Sequence, residues 1–166
     1  MNQKAFLIFS IDDLLYALSV MDVKHIIRSV AITPLSDAPD LMTGILNMGG
    51  SFIPVIDIRR QFNLSPKALQ VSDRFIIADA CGYTIAFIAD TIEGVVELSR
   101  EPLFGDLLPA DIVSSTLFPD IEKFIVGVSQ FNNRTVLIYD INTLFPEEEI
   151  RLATEALTTN QIEEPA

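Results

Sequence analysis

The sequence predicts an all-β protein made of two related halves, on three observations. Short runs rich in β-branched and aromatic residues recur along the chain, separated by turn-forming pairs such as Asp12-Asp13, Gly49-Gly50 and Asn132-Asn133. The stretch Gly44 to Phe62 (GILNMGGSFIPVIDIRRQF) returns as Gly127 to Phe145 (GVSQFNNRTVLIYDINTLF), with Gly44, Asp57 and Phe62 each 83 residues before Gly127, Asp140 and Phe145. An earlier block repeats at a spacing of 69: Phe6, Ala17, Val23 and Ile26 match Phe75, Ala86, Ile92 and Val95. The two spacings differ by 14 (83 − 69), so the second half carries 14 extra residues between its blocks, within 99–120.

Taken in order, Lys4 to Ser10 is a first strand and Leu14 to Val20 a second, joined by Asp12-Asp13 as a hairpin. Met21 to Ile27 is ambiguous. Val23, Ile26 and Ile27 share a helical face, while the β-branched content allows a strand from Ile26 onward. Residues 33–39 hold two prolines and read as a loop, with Ser36 able to cap a short helical turn over 39–42. Ile45 and Leu46 then lead into the Gly49-Gly50 turn, where φ > 0 suits a primed hairpin. Phe52 to Ile58 is a buried strand whose Pro54 implies an edge or a bulge. Polar residues 63–72 close the first half.

The second half opens with Arg74 to Ala78 and Tyr83 to Ala89 around an Ala80-Cys81-Gly82 turn. The extra residues form a loop with a possible helical turn. Asp57 and Asp140 each end a strand, and their structural role is to cap the turn that follows. Pro146 and the run Glu147-Glu148-Glu149 start a short helix, since acidic side chains suit its positive end. Ile150, Ala153 and Leu157 give it an apolar face, and residues 158–166 read as a frayed, acidic end.

Composition excludes several functions. The 166 residues carry a formal net charge of −12, which disfavours nucleic acid as a ligand. Hydrophobic residues make up 49% and mean hydropathy is +0.38, which fits a strand-rich core and apolar surface kept for partners equally well. No apolar run approaches a membrane span and the start of the chain does not read as a signal peptide, so no membrane insertion and a cytoplasmic location are expected. Cys81 is the single cysteine and His25 the single histidine, so the usual zinc ligands and catalytic sets are missing. Asp57 and Asp140 lack an accompanying nucleophile or orienting group. No metal, cofactor or catalytic residue is expected, and binding is left to carry the function.

The chain resembles the CheW family, the adaptor domain of bacterial chemotaxis arrays. The resemblance rests on FLIFSIDDLLYAL from Phe6, V-x-x-I at Val23 to Ile26, ITPLSDAP from Ile32, GILNMGGSFIPVIDIR from Gly44, IADTIEGVVEL from Ile88 and FNNRTVLIYDINTLF from Phe131. It covers residues 6–145. It implies two SH3-like five-stranded β-barrels packed together over residues 1–145, as repeats of 1–72 and 73–145, with residues 146–166 as the acidic helix and tail. It also implies a non-catalytic adaptor that couples the regulatory domain of a CheA-type histidine kinase to the helical cytoplasmic tip of a chemoreceptor. Val23, Ile26, Ile92 and Val95 would line an apolar groove for a helical partner, with His25, Gly44, Asn47, Gly49 and Gly50 beside it. This chain departs from the family twice. His25 stands where members usually have Glu in V-x-E-I, and Gly49 where they have Arg in N-x-R-G. Those two residues form a charge pair in the family, so their joint loss implies a rewritten receptor contact. The alternative is a stand-alone barrel that binds a small ligand or peptide.

Overall fold

The computed structural model describes residues 3–99 and 125–163, with side chains from 4–98 and 125–157. Among the described residues there are ten strands: β1 (Gln3–Ile11), β2 (Leu14–Ser19), β3 (Val23–Arg28), β4 (Met42–Met48), β5 (Ser51–Ile56), β6 (Arg74–Ala80), β7 (Tyr83–Ala89), β8 (Thr91–Ser99), β9 (Ile125–Phe131) and β10 (Arg134–Tyr139). Two one-turn helices, α1 (Ile58–Gln61) and α2 (Ile141–Leu144), follow β5 and β10, and α3 spans Glu147–Glu163.

The strands form two five-stranded sheets, ordered β8-β1-β2-β10-β9 and β3-β6-β7-β5-β4. Each sheet draws strands from both halves of the sequence. The β1–β2 hairpin completes a sheet with β8, β9 and β10, and the β6–β7 hairpin completes one with β3, β4 and β5. The expectation that each half forms its own barrel is therefore corrected: the halves exchange hairpins.

The spacings hold element by element. β4, β5 and α1 lie 83 residues before β9, β10 and α2 (42 to 125, 51 to 134, 58 to 141). The parallel pair Val55–Ala86 corresponds to Ile138–Ala17 (55 to 138, 17 to 86). Irregular ladder positions correspond too: Lys24 is skipped between β3 and β6, and Glu93 between β8 and β1. All four hairpin turns use left-handed backbone, at Asp12-Asp13, Gly49-Gly50, Cys81-Gly82 and Asn132-Asn133, as primed two-residue turns require.

Burial follows strand alternation. One face of the first sheet encloses a small cluster that includes Phe6, Ile8, Ala17 and Ile138. One face of the second encloses Val55, Phe75, Ile77 and Ala86. The opposite faces meet in a larger shared core around Phe9, Tyr16, Phe62, Phe87, Tyr139 and Phe145. Helix α3 adds Ile150, Ala153 and Leu157 to that core.

Four local expectations change. No helix forms at 39–42, where Met42 already begins β4. Residues 20–22 are a single 3-10 turn, capped by Ser19, and the chain from Val23 is strand. Pro54 lies inside a sheet and not at its edge, because β5 sits between β7 and β4. Its missing N–H is consistent with a parallel ladder cut to the one pair Val55–Ala86, where Leu137 at the matching place allows three pairs. Finally, α3 continues as helix to Glu163, past the end expected at Leu157. The extra residues of the second half lie outside the described residues.

Candidate functional site

The residues proposed to meet a partner fall on two edge strands. Val23, His25 and Ile26 are on β3, the edge of one sheet, and Ile92 and Val95 are on β8, the edge of the other. Val23 and Ile92 are half-buried against the shared core. Ile26 and Val95 are 40% and 59% exposed, unusual for aliphatic side chains on a strand face. Ile26 sits across from Ile76, and Val95 across from Leu7, both shared-core residues. The two anchors therefore flank the shared core from opposite sheets. His25 is exposed; its backbone pairs with Ile77 in the ladder, and its side chain has no hydrogen-bond or ion-pair partner among the described residues.

The glycine-rich turn is on the far edge of the second sheet. Asn47 holds the turn closed, accepting from the Gly50 N–H at 2.9 Å. Gly49 and Gly50 have φ of +58° and +96°, with open space where a Cβ would stand. Gly44 differs. It is buried, and a Cβ there would lie 2.5 Å from the Thr33 carbonyl oxygen. Thr33 and Ile45 exchange backbone hydrogen bonds of 2.8 and 2.9 Å, so the chain leaving β3 returns to β4. Gly44, Asn47 and Gly50 thus have a structural reason to be what they are.

Asp57 and Asp140 cap α1 and α2. Asp57 Oδ1 accepts from the Arg60 N–H at 3.1 Å and Asp140 Oδ1 from the Asn142 N–H at 3.0 Å. Between the two caps, Gln61 donates to the carbonyl of Leu144 at 2.8 Å. Gln61 and Leu144 are matching positions (61 to 144), so the halves meet here about a local pseudo-two-fold axis.

Sequence reasoning missed a charged junction beside this axis. Arg59 is 13% exposed and makes a forked contact with Asp12 at 2.6 and 3.2 Å. The same guanidinium reaches Asp90 at 3.2 Å, and Lys67 bridges Asp90 and Asp73 at 3.0 and 3.3 Å. Burial alone would raise the Asp90 carboxyl. The Asp12 N–H, Lys67 and Arg59 outweigh that and hold it below its ordinary value. Asp12 belongs to the turn of one sheet and Arg59 to the helix leaving the other, so the cluster ties the sheets together. On the opposite side the matching residues are Cys81 and Asn142 (12 to 81, 59 to 142). There the Cys81 N–H donates to Asn142 Oδ1 at 2.8 Å. The same crossing is thus made once by ions and once by neutral groups. A cavity of about 260 Å³ lies next to the charged junction, walled by Ile56, Ile88, Leu69, Lys67 and Asp90.

Among the described residues no helix is long and apolar enough to cross a membrane. Two exposed aliphatic side chains thus stand on edge strands of opposite sheets, and a paired ion cluster joins the sheets.

The chain is similar to the chemotaxis protein CheW of Treponema pallidum (strain Nichols), 25% identical over 147 residues that cover 86% of this chain and 82% of the relative. It is also similar to the protein FrzA of Myxococcus xanthus, 25% identical over 109 residues, 63% of this chain and 68% of that protein. Among solved structures, the scaffolding protein TtCheW from Thermoanaerobacter tengcongensis matches with a TM-score of 0.70 and 26% identity, over 89% of this chain and 96% of that one. The model of the CheW-like domain family matches residues 5–149, and the chain belongs to that family.

Proposed function

We propose that this protein is a non-catalytic scaffold in the cytoplasm of a bacterium. It couples the regulatory domain of a CheA-type histidine kinase to the helical cytoplasmic tip of a chemoreceptor. The observation that carries the reading is the pair of exposed anchors, Ile26 and Val95, each backed by a half-buried neighbour, Val23 and Ile92. An amphipathic helix binds through apolar anchors of this kind, and each well-placed one contributes more than about 1 kcal/mol. The family membership and the relatives named for chemotaxis and scaffolding support the same reading.

Within it, His25 and Gly49 set partner choice. Charges at an interface govern specificity and register more than affinity. With the family's Glu and Arg both absent, the receptor contact changes while the kinase contact is kept. The test is calorimetry of the unaltered protein and of the double variant His25→Glu, Gly49→Arg against a kinase regulatory domain and a standard receptor tip. Arg at position 49 has room, though its left-handed backbone costs about 1–2 kcal/mol. The double variant is expected to gain receptor binding, with each single change doing less, and kinase binding is expected to stay constant. Equal receptor binding by the unaltered protein would end the rewriting idea. Binding to neither partner would end the scaffold reading and favour a barrel that takes a small ligand or peptide.

A further inference from the structure

Side chains in a protein interior leave few voids larger than a water molecule, and the cavity of about 260 Å³ beside the charged junction is well above that size. Part of its wall is aliphatic, from Ile56 on β5 and Ile88 on β7. Another part is the strap of residues 63–73, which runs from α1 to β6 and contributes Pro66 and Leu69. Polar contacts pin this strap. Arg59 donates to the Ser65 carbonyl at 3.1 Å, and the Gln70 N–H donates to Asp73 Oδ2 at 2.8 Å. The chain after α2 is built differently. At the positions 83 residues beyond Lys67 and Gln70 stand Ile150 and Ala153, both buried in the shared core. The chain leaving α1 is thus a polar strap, whereas the chain leaving α2 is a helix that fills space.

We propose that this cavity binds a small organic cation, a primary ammonium on a short aliphatic chain. An apolar wall with a few convergent polar groups suits a ligand that has both characters. The sign of its charge follows from the wall. Arg59 and Lys67 stand there with Asp57, Asp73 and Asp90, and Asp12 shares Arg59, so the group sums to −2 (2 − 4). Each cation is divided between two carboxylates, Arg59 between Asp12 and Asp90, and Lys67 between Asp73 and Asp90. Asp73 is 2% exposed, and its one ion pair among the described residues is the shared Lys67 at 3.3 Å. A buried charge is costly unless it is well paired, so a second cation is welcome here. Asp57 also has acceptor capacity to spare. Its Oδ1 takes the Arg60 N–H, and its other oxygen accepts no hydrogen bond among the described residues. An anion would meet the same excess as repulsion. The aliphatic chain of the ligand would lie along Ile56 and Ile88 and remove them from water. Pockets for drug-sized ligands start at about 300 Å³, so this one takes a molecule of only a few carbons.

This inference does not rest on the kinase–receptor reading, since its test uses the full chain alone. The probe is n-pentylammonium chloride, titrated at constant ionic strength while isoleucine methyl NMR spectra are recorded. The comparison probes are n-pentanol, sodium pentanoate and magnesium chloride. Pentylammonium is expected to saturate with a Kd of about 1 mM and to move the methyls of Ile56, Ile58 and Ile88, which line the cavity. The other three probes should bind about tenfold more weakly or not at all. Three variants, each raising the net charge by one, locate the site. Asp57→Asn keeps the helix cap, because Asn caps as well as Asp, and should weaken binding about fivefold or more. Thr43→Lys puts an ammonium on the cavity wall from an exposed position and should abolish binding. Gln130→Lys, exposed on β9 of the other sheet, should leave binding unchanged. The methyl spectrum also reports that each variant is folded. Shifts that do not saturate by roughly 20 mM, or that spread over the whole chain, would overturn the proposal. So would pentanol or magnesium binding as tightly as pentylammonium, or the three variants behaving alike.

Discussion

Removing the Arg59 guanidinium leaves Asp12 and Asp90 joined at the sheet junction, with Lys67 still paired to Asp90. Arg59→Ala is therefore expected to cost about 2 kcal/mol, read as a lower urea midpoint, because the largely buried Asp90 loses a charged hydrogen-bond donor, while the contact with the half-exposed Asp12 adds little. An unchanged midpoint would show that the junction does not hold the sheets. Asp90 adds a pH dependence. Its folded pKa lies below the ordinary carboxylate value of about 3.9. Its contribution is thus complete above that value and is lost as pH falls through the folded pKa. Stability is expected to drop below about pH 4, and Asp90→Asn should flatten that drop. Tyr139 gives the opposite sign. Its hydroxyl and that of Tyr16 are buried without a hydrogen-bond partner among the described residues, and burial pushes both phenols up, out of the titrating range. Tyr139→Phe removes an unsatisfied group, so the midpoint should hold or rise by about 1 kcal/mol; a clear fall would mean that the hydroxyl is satisfied in solution.

At the scale of elements, the equivalent strands β5 and β10 offer a matched pair of tests. Val55 is 0% exposed inside one sheet's own cluster and Ile138 is 1% exposed inside the other's. Cutting either to Ala is expected to cost about 2–4 kcal/mol by urea denaturation, with Val55→Ala at the low end because it loses less volume. Unequal faces, with one variant neutral, would show that the two sheets are not built alike. These strands were legible in the sequence because their turns are: Gly49-Gly50 and Asn132-Asn133 leave few choices of backbone, and Asp57 and Asp140 mark where each strand stops. The end of α3 was not legible, since Thr158 and Thr159 carry no stop signal as strong as Gly or Pro. Nor was the charged junction, because Asp12 and Asp90 are separated by 78 residues and neither stands out locally. Sequence reading placed Gly44 at a partner surface, yet only the fold shows Thr33 pressed against it.

For the molecule as a whole, the hairpin exchange was invisible for a definite reason. A repeat with spacings of 69 and 83 looks the same whether each hairpin pairs within its own half or across to the other. The matching of β1 with β6, and of α1 with α2, leads us to propose the boundary between residues 72 and 73 as the seam of two repeats. Neither repeat then contains a complete sheet. Fragments 1–72 and 73–166 are each expected to be unfolded by circular dichroism, and to recover sheet structure when mixed. A well-dispersed NMR spectrum from either fragment alone would contradict this.

The exchange also sets a timetable for synthesis. The second sheet needs nothing beyond Ala89, the end of β7, and can form as soon as that residue is available. The first sheet cannot close until Tyr139, the end of β10. At ordinary translation rates those 50 residues (139 − 89) take roughly 3–10 s, whereas a hairpin forms in microseconds. During that interval β8 can join β1, but β2 waits with its outer edge open, and it carries Leu15, Tyr16, Ala17 and Leu18, all later buried. An apolar open edge is a template for pairing with other chains. Nascent chains halted between residues 99 and 125 are accordingly expected to be the aggregation-prone form of this protein and the one that captures chaperones, measured by pull-down of stalled ribosomes, while chains halted past residue 145 are not.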